Sequence, residues 1–144
     1  MTAMFKLSLL VVGVSLGITA CATQQYSTPK DLRFQDNSNG RNQVLHVERD
    51  EKLCNDDTLE NQKCPINLYI DNFLAGSFYA NNRATYYLKP ELYSFKVKNC
   101  TTEECKTCDI DLRVDQLTDR KFTLTVDMLG KPFIVNSGKP LLCQ

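Results

Sequence analysis

Histidine is nearly absent from this chain, and that scarcity excludes a good deal of chemistry. A Ser-His-Asp arrangement or a histidine-rich metal site would have to use His46, the single histidine. It sits within an alternating segment with no nucleophile motif beside it, and reads as an ordinary strand side chain. A basic excess is also missing. Seventeen Lys plus Arg balance seventeen Asp plus Glu, so the chain lacks the positive charge that phosphate neutralisation requires, and nucleic acid is not expected as a partner. Beyond residue 21 there is no apolar run long enough to cross a bilayer. No segment shows a helical stripe. The acidic pairs Asp56-Asp57, Glu103-Glu104 and Asp109/Asp111 have no EF-hand spacing and read as solvated faces rather than as calcium ligands or glycosidase carboxylates.

What the chain does have begins at its amino terminus. Met1 to Lys6 form a short head with one basic residue, and Leu7 to Ile18 form a twelve-residue apolar core. That length suits a signal-peptide h-region and is too short to span a membrane. Small residues then lead to a cysteine in Ile18-Thr19-Ala20-Cys21. This stretch resembles the lipobox of bacterial lipoproteins. The resemblance implies a signal peptide over residues 1–20, cleavage before Cys21, a diacylglycerol on its sulfur and a fatty acid on the new amino terminus. A single acyl chain holds a protein only marginally, at about 0.8 kcal/mol per buried methylene, whereas three chains anchor it permanently. Ala22, rather than Asp, follows the cysteine. By the same resemblance the anchor lies in the outer membrane, facing the periplasm.

Lys6 is the only charge in residues 1–20, so the remaining 124 residues carry 16 Lys plus Arg against 17 Asp plus Glu. That length suits one domain. Assigning Cys21 to the lipid leaves Cys54, Cys64, Cys100, Cys105, Cys108 and Cys143. Six is even, and an exported chain matures in an oxidising compartment, so three disulfides are expected. The expected pairing is Cys54–Cys64, Cys100–Cys108 and Cys105–Cys143. Closing the loop between Cys54 and Cys64 is worth roughly 2.8 kcal/mol on the chain-entropy account.

Other readings of these cysteines compete. Cys100-x4-Cys105-x2-Cys108 with a distant Cys143 has plant-type ferredoxin spacing, and the same four thiolates suit four-coordinate zinc. Oxidation in the exported compartment opposes both, and no cofactor or metal is expected. Cys105-Lys106-Thr107-Cys108 is also a C-x-x-C of redox type. The next residues, Asp109-Ile110-Asp111-Leu112-Arg113-Val114, make a strand pattern rather than the helix that would lower a thiol pKa.

Residues 21–40 comprise the lipidated cysteine and a polar, turn-rich stretch with no sustained period. It is expected to be a flexible tether, with docking of Leu32 and Phe34 as an extra strand the alternative. From Gln43 onward the apolar residues alternate. Leu45 and Val47 oppose Val44, His46 and Glu48, while Ile66, Leu68 and Ile70 share a face. Phe73 to Tyr79 follows an Asp71-Asn72 turn and is interrupted by Gly76. Thr85 to Leu88, the Tyr93/Phe95/Val97 series, the Ile110/Leu112/Val114 series, the Phe122/Leu124/Val126 series and Phe133 to Val135 complete the set. The expected fold is all-β: a small antiparallel β-sandwich over residues 41–144, stapled by disulfides.

Within it, Ile70-Asp71-Asn72, Gly76, Leu88-Lys89-Pro90 and then Tyr93, Phe95 and Val97 succeed one another as turn, glycine, turn and alternating strand. Residues 66–97 thereby resemble the PEGA-type module of bacterial envelope proteins, with Asn72 at a turn glycine and Glu91-Leu92 where a glycine usually comes after the proline. The resemblance implies a surface or scaffold element. Tyr79, Tyr86, Tyr87 and Tyr93 cluster in this region. Those on a solvent face would form a binding surface, and the rest would pack across strands.

The expected function is a non-enzymatic, membrane-anchored envelope lipoprotein, a structural or protein-binding accessory of a cell-envelope assembly with an envelope protein as partner. Two alternatives stand beside it. One is an inhibitor or exclusion lipoprotein that binds an exogenous protein. The small lysozyme inhibitors carry a Ser-Gly-x-x-Tyr loop, and here Ser137-Gly138 precedes Lys139, Pro140 and Leu141. The other is a periplasmic thiol redox protein using the C-x-x-C.

Overall fold

The computed structural model describes residues 25–144; the signal-peptide and Cys21 lipidation reading lies outside the described residues. Nine strands form two sheets. One sheet has the order β4 (Arg83–Leu88), β1 (Gln43–Arg49), β7 (Lys121–Val126), β8 (Pro132–Asn136) and β9 (Lys139–Pro140). The other has the order β3 (Phe73–Phe78), β2 (Ile66–Ile70), β5 (Leu92–Cys100) and β6 (Cys105–Arg113). The all-β sandwich is therefore the fold of this chain. Its pairings are antiparallel except β1 with β7, which run parallel, and one 3-10 turn at Val114–Gln116 stands where Val114 was expected to extend a strand.

Alternation explains the core. Leu45 and Val47 of β1, Ile66, Leu68 and Ile70 of β2, Phe95 and Val97 of β5 and Phe122 and Leu124 of β7 are all buried, because residues two apart on a strand share a face. Phe95 and Phe122 meet edge-on across the two sheets at 5.3 Å between ring centres, an arrangement that aromatic quadrupoles favour. The Asp71-Asn72 turn has both residues at positive φ (49° and 65°), as a two-residue hairpin with primed geometry demands. Gly76 lies buried in β3 beside a register shift in the β2–β3 pairing. A Cβ there would stand 2.6 Å from the Tyr86 hydroxyl, which accounts for the glycine.

Each open side of the sandwich is crossed by a chain terminus. On one side the edge strands are β3 and β4. Residues 26–35 run along them: Lys30 and Ser77 exchange backbone hydrogen bonds (3.0 and 2.8 Å), Arg33 N–H donates to Ala75 O, and Tyr87 N–H donates to Phe34 O. Asp31 and Phe34 have φ of 57° and 58°, a left-handed backbone that Asp tolerates and a bulky Phe disfavours. It lets the segment leave β3 and reach β4. On the far side, Leu141 N–H donates to Ile134 O and Gln144 N–H to Asp109 O, so the last residues cross from β8 to β6. Exposed strand edges template aggregation, and both crossings cover them.

This corrects the expected tether. Residues 30–34 within it are docked by backbone hydrogen bonds, and the docking alternative describes them better, although they make an isolated bridge at Lys30 and Ser77 rather than a full strand. The segment shows no alternation because it is held by main-chain bonds to two strand edges together with scattered side-chain contacts, Tyr26 on Tyr79 and Gln35 Nε2 on Thr85 O among them.

Candidate functional site

The six cysteines of the described residues pair as Cys54–Cys64, Cys100–Cys105 and Cys108–Cys143. The first pairing matches the expectation; the other two replace Cys100–Cys108 and Cys105–Cys143. Strand parity is the physical reason. Tyr93, Phe95, Val97 and Asn99 face inward from β5, so Cys100 faces outward. Ile110 and Cys108 face inward from β6, so Cys105, three residues from Cys108, faces outward. Cys100 and Cys105 are direct cross-strand partners, with Cα atoms 4.0 Å apart. Cys108 points into the core and meets Cys143 on the carboxy-terminal crossing.

The same parity bears on the chemical readings. Two cysteines three apart on a strand lie on opposite faces, so Cys105 and Cys108 do not form a C-x-x-C couple and do not converge with Cys100 and Cys143 on one point. Among the described residues, no group of three or more His, Cys, Asp or Glu side chains is arranged to hold a metal.

The tyrosines divide similarly. Tyr86 is wholly buried and Tyr93 is 7% exposed, so neither belongs to a binding surface. The Tyr86 hydroxyl donates to Ala75 O at 2.9 Å, and burial pushes its pKa upward. The Tyr93 hydroxyl accepts from Lys89 N–H at 2.9 Å, and burial also raises its pKa. Tyr87 is half-buried on the outer face of β4. Tyr79 is half-buried against Tyr26, their ring centres 4.6 Å apart, with the Lys30 ammonium 5.4 Å above the Tyr79 ring.

His46 lies exposed on the outer face of β1, its Nδ1 3.1 Å from the Thr85 hydroxyl. It lines an open groove of about 470 Å³ with Glu48, Arg83 and Lys121, where Lys121 and Glu48 pair at 2.7 Å. Its hydrogen-bond partner is a threonine hydroxyl rather than a carboxylate, so the arrangement lacks the orienting acid of a triad.

The most elaborately built region is one end of the sandwich, where residues 50–65 and the turns at 79–82, 100–105 and 127–131 gather. The amino-terminal segment enters at this end, and polar groups lock it there. Gln62 N–H donates to the Tyr26 hydroxyl at 3.2 Å, and Asn82 Nδ2 donates to Tyr26 O at 2.6 Å. Asn82 and Gln62 are themselves buried, and their side-chain oxygens accept from Tyr79 N–H and Ala80 N–H.

Beneath them lies Arg49, 2% exposed. Its Nη1 donates to Cys64 O (3.1 Å) and Phe78 O (2.8 Å), and its Nη2 donates to Lys52 O (3.1 Å). A buried cation needs acceptors; here three carbonyls take up the two terminal nitrogens, while Nε is buried without a partner. Burial pushes the guanidinium pKa down to about 10, with Asp50 and Asp57 opposing, so it remains charged at neutral pH. Asp57 in turn accepts from Lys63 N–H and Cys64 N–H at 3.1 Å each. Sequence reasoning missed Arg49, although it continues the inward series of Leu45 and Val47.

Searches of protein-family models, curated proteins and solved structures return no match to this chain. The reading of this end therefore rests on its geometry: a rigid, hydrogen-bonded platform fitted to holding the chain at a defined point.

Proposed function

We propose that the chain is a non-enzymatic lipoprotein of the bacterial outer membrane, lipidated at Cys21, whose sandwich serves as a structural or protein-binding accessory within the periplasm. The observation that carries this reading is the complete pairing of the six other cysteines. The six cysteines of the described residues pair among themselves, and the seventh in the sequence, Cys21, stands where the lipobox resemblance puts the acylated residue. Three disulfides in a domain of this size fit an exported protein. The residues of the C-x-x-C are held in separate staples, which favours an accessory over a thiol redox protein.

The PEGA-like resemblance of residues 66–97 supports a scaffold role. In this structure those residues build β2 to β5, with β4 in one sheet and the other three in the opposite sheet, so the segment spans the sandwich core. The reading is tested by photo-crosslinking from exposed positions in intact cells. Recovery of one defined envelope protein in stoichiometric complex is expected; recovery of monomer alone from every position would contradict it.

A further inference from the structure

We infer that the entry end of the sandwich faces the bilayer and that the β7–β8 turn, through Met128 and Leu129, dips into the lipid interface. The inference rests on the proposed lipidation of Cys21. Three observations lead to it.

The first is reach. The amino-terminal segment is already locked at Tyr26 by Gln62 and Asn82, so five residue steps separate that point from Cys21. Fully extended, they span about 17 Å. From Tyr26 the chain runs along β3 away from the entry end, through Lys30 and Arg33, which pair with Ser77 and Ala75. Tyr26 therefore stands at the entry end of the described segment, and Cys21 is within that reach of it.

The second is the composition of the β7–β8 turn. Hairpin tips are ordinarily polar, and the turn-forming work here is done by its flanks. Asp127 Oδ1 accepts from Leu129 N–H (2.8 Å) and Lys131 N–H (2.9 Å), and Gly130 supplies the positive φ of 77°. The side chains of the two residues between take no part in it, yet they are Met128 and Leu129, 95% and 78% exposed. Leu59, 55% exposed, lies in the loop at the same end.

The third is charge. Lys106 Nζ donates to Leu129 O and Lys131 comes directly after the turn, so two lysines flank the apolar tip. The neighbouring loops carry Asp50, Glu51, Asp56, Asp57, Glu60, Glu103 and Glu104 against Lys52 and Lys63, an acidic excess that offers no attraction to anionic lipid. The contact is therefore apolar, made by large side chains seated at the headgroup boundary, and insensitive to salt.

The chain contains no tryptophan, so a single introduced one reports without background. L129W places an indole at the proposed contact and L92W places one at the opposite end, where Leu92 is 58% exposed. Each mature protein, purified from membranes, is reconstituted into phosphatidylcholine vesicles with brominated acyl chains, and vesicle flotation and the mass of Cys21 are measured on the same sample. The L129W emission is expected to be blue-shifted and quenched about twofold, as suits a side chain roughly 5–10 Å into the interface, in both low and high salt, with the L92W emission unquenched. Acylated, floating protein in which L129W is quenched no more than L92W would overturn the orientation alone. Loss of L129W quenching in high salt would overturn its apolar basis. Unacylated Cys21 would instead remove the reading on which the orientation rests.

Discussion

Arg49 donates to the carbonyl of Phe78 at 2.8 Å from inside the core, and through that bond the end of β1 in one sheet is tied to the end of β3 in the other. The same guanidinium holds Cys64 O and Lys52 O, which fixes both ends of the charged loop between them. Arg49→Ala removes this donor from the buried carbonyls of Cys64 and Phe78, at about 1–3 kcal/mol each. Loss of roughly 3 kcal/mol or more in urea denaturation is expected, with Arg49→Lys intermediate because an ammonium cannot present the planar fork. A change within about 0.5 kcal/mol, the range of an ordinary surface substitution, would contradict the clamp.

Gly76 and Tyr86 form a coupled pair. A methyl at residue 76 would crowd the Tyr86 hydroxyl at 2.6 Å, and Leu32 and Phe78 at 3.0 Å. Gly76→Ala should destabilise by about 1–3 kcal/mol through overpacking. Combining it with Tyr86→Phe, which removes the nearest atom, should recover part of that loss in a double-mutant cycle.

Tyr86 also sets a pH dependence. Burial raises its pKa above the ordinary value of 10.0, so the folded protein keeps the proton that the unfolded chain releases near pH 10. This contribution is fully present below pH 10 and is lost as pH rises through the folded pKa, with a limiting slope of about 1.4 kcal/mol per pH unit. Arg49, with a depressed pKa, acts in the opposite direction over an overlapping range. The clean observable is therefore a difference: wild type should lose stability relative to Tyr86→Phe as pH rises above 10.

The three staples should be unequal. On the chain-entropy account, removing Cys108–Cys143, with 35 residues of separation, costs about 4 kcal/mol. Removing Cys100–Cys105, with a separation of 5, costs about 2 kcal/mol. Paired alanine variants measured by denaturation check the order, and peptide mass mapping checks the connectivity directly.

Much of this fold was legible because one sheet face is buried and side chains alternate. Leu45 and Val47, then Ile66, Leu68 and Ile70, announced their strands, and Asp71-Asn72 announced its turn. The same alternation contained more than was drawn from it. Counted from Phe95 and Ile110, it puts Cys100 and Cys105 outside and Cys108 inside; counted from Leu88, it puts Tyr86 inside. What it could not reveal is held by backbone groups or by a charge. The docking of residues 26–35 uses main-chain bonds to strand edges, and Arg49 occupies a core position that patterning reserves for apolar residues.

Anchoring of the domain through Cys21 is tested by the mass of the mature amino terminus. Protein recovered from the membrane fraction should begin at Cys21, carrying a diacylglyceryl group on sulfur and an acyl chain on nitrogen, while Cys21→Ser should abolish both the modification and membrane recovery. A mature protein with an unmodified Cys21, released in soluble form, would contradict it.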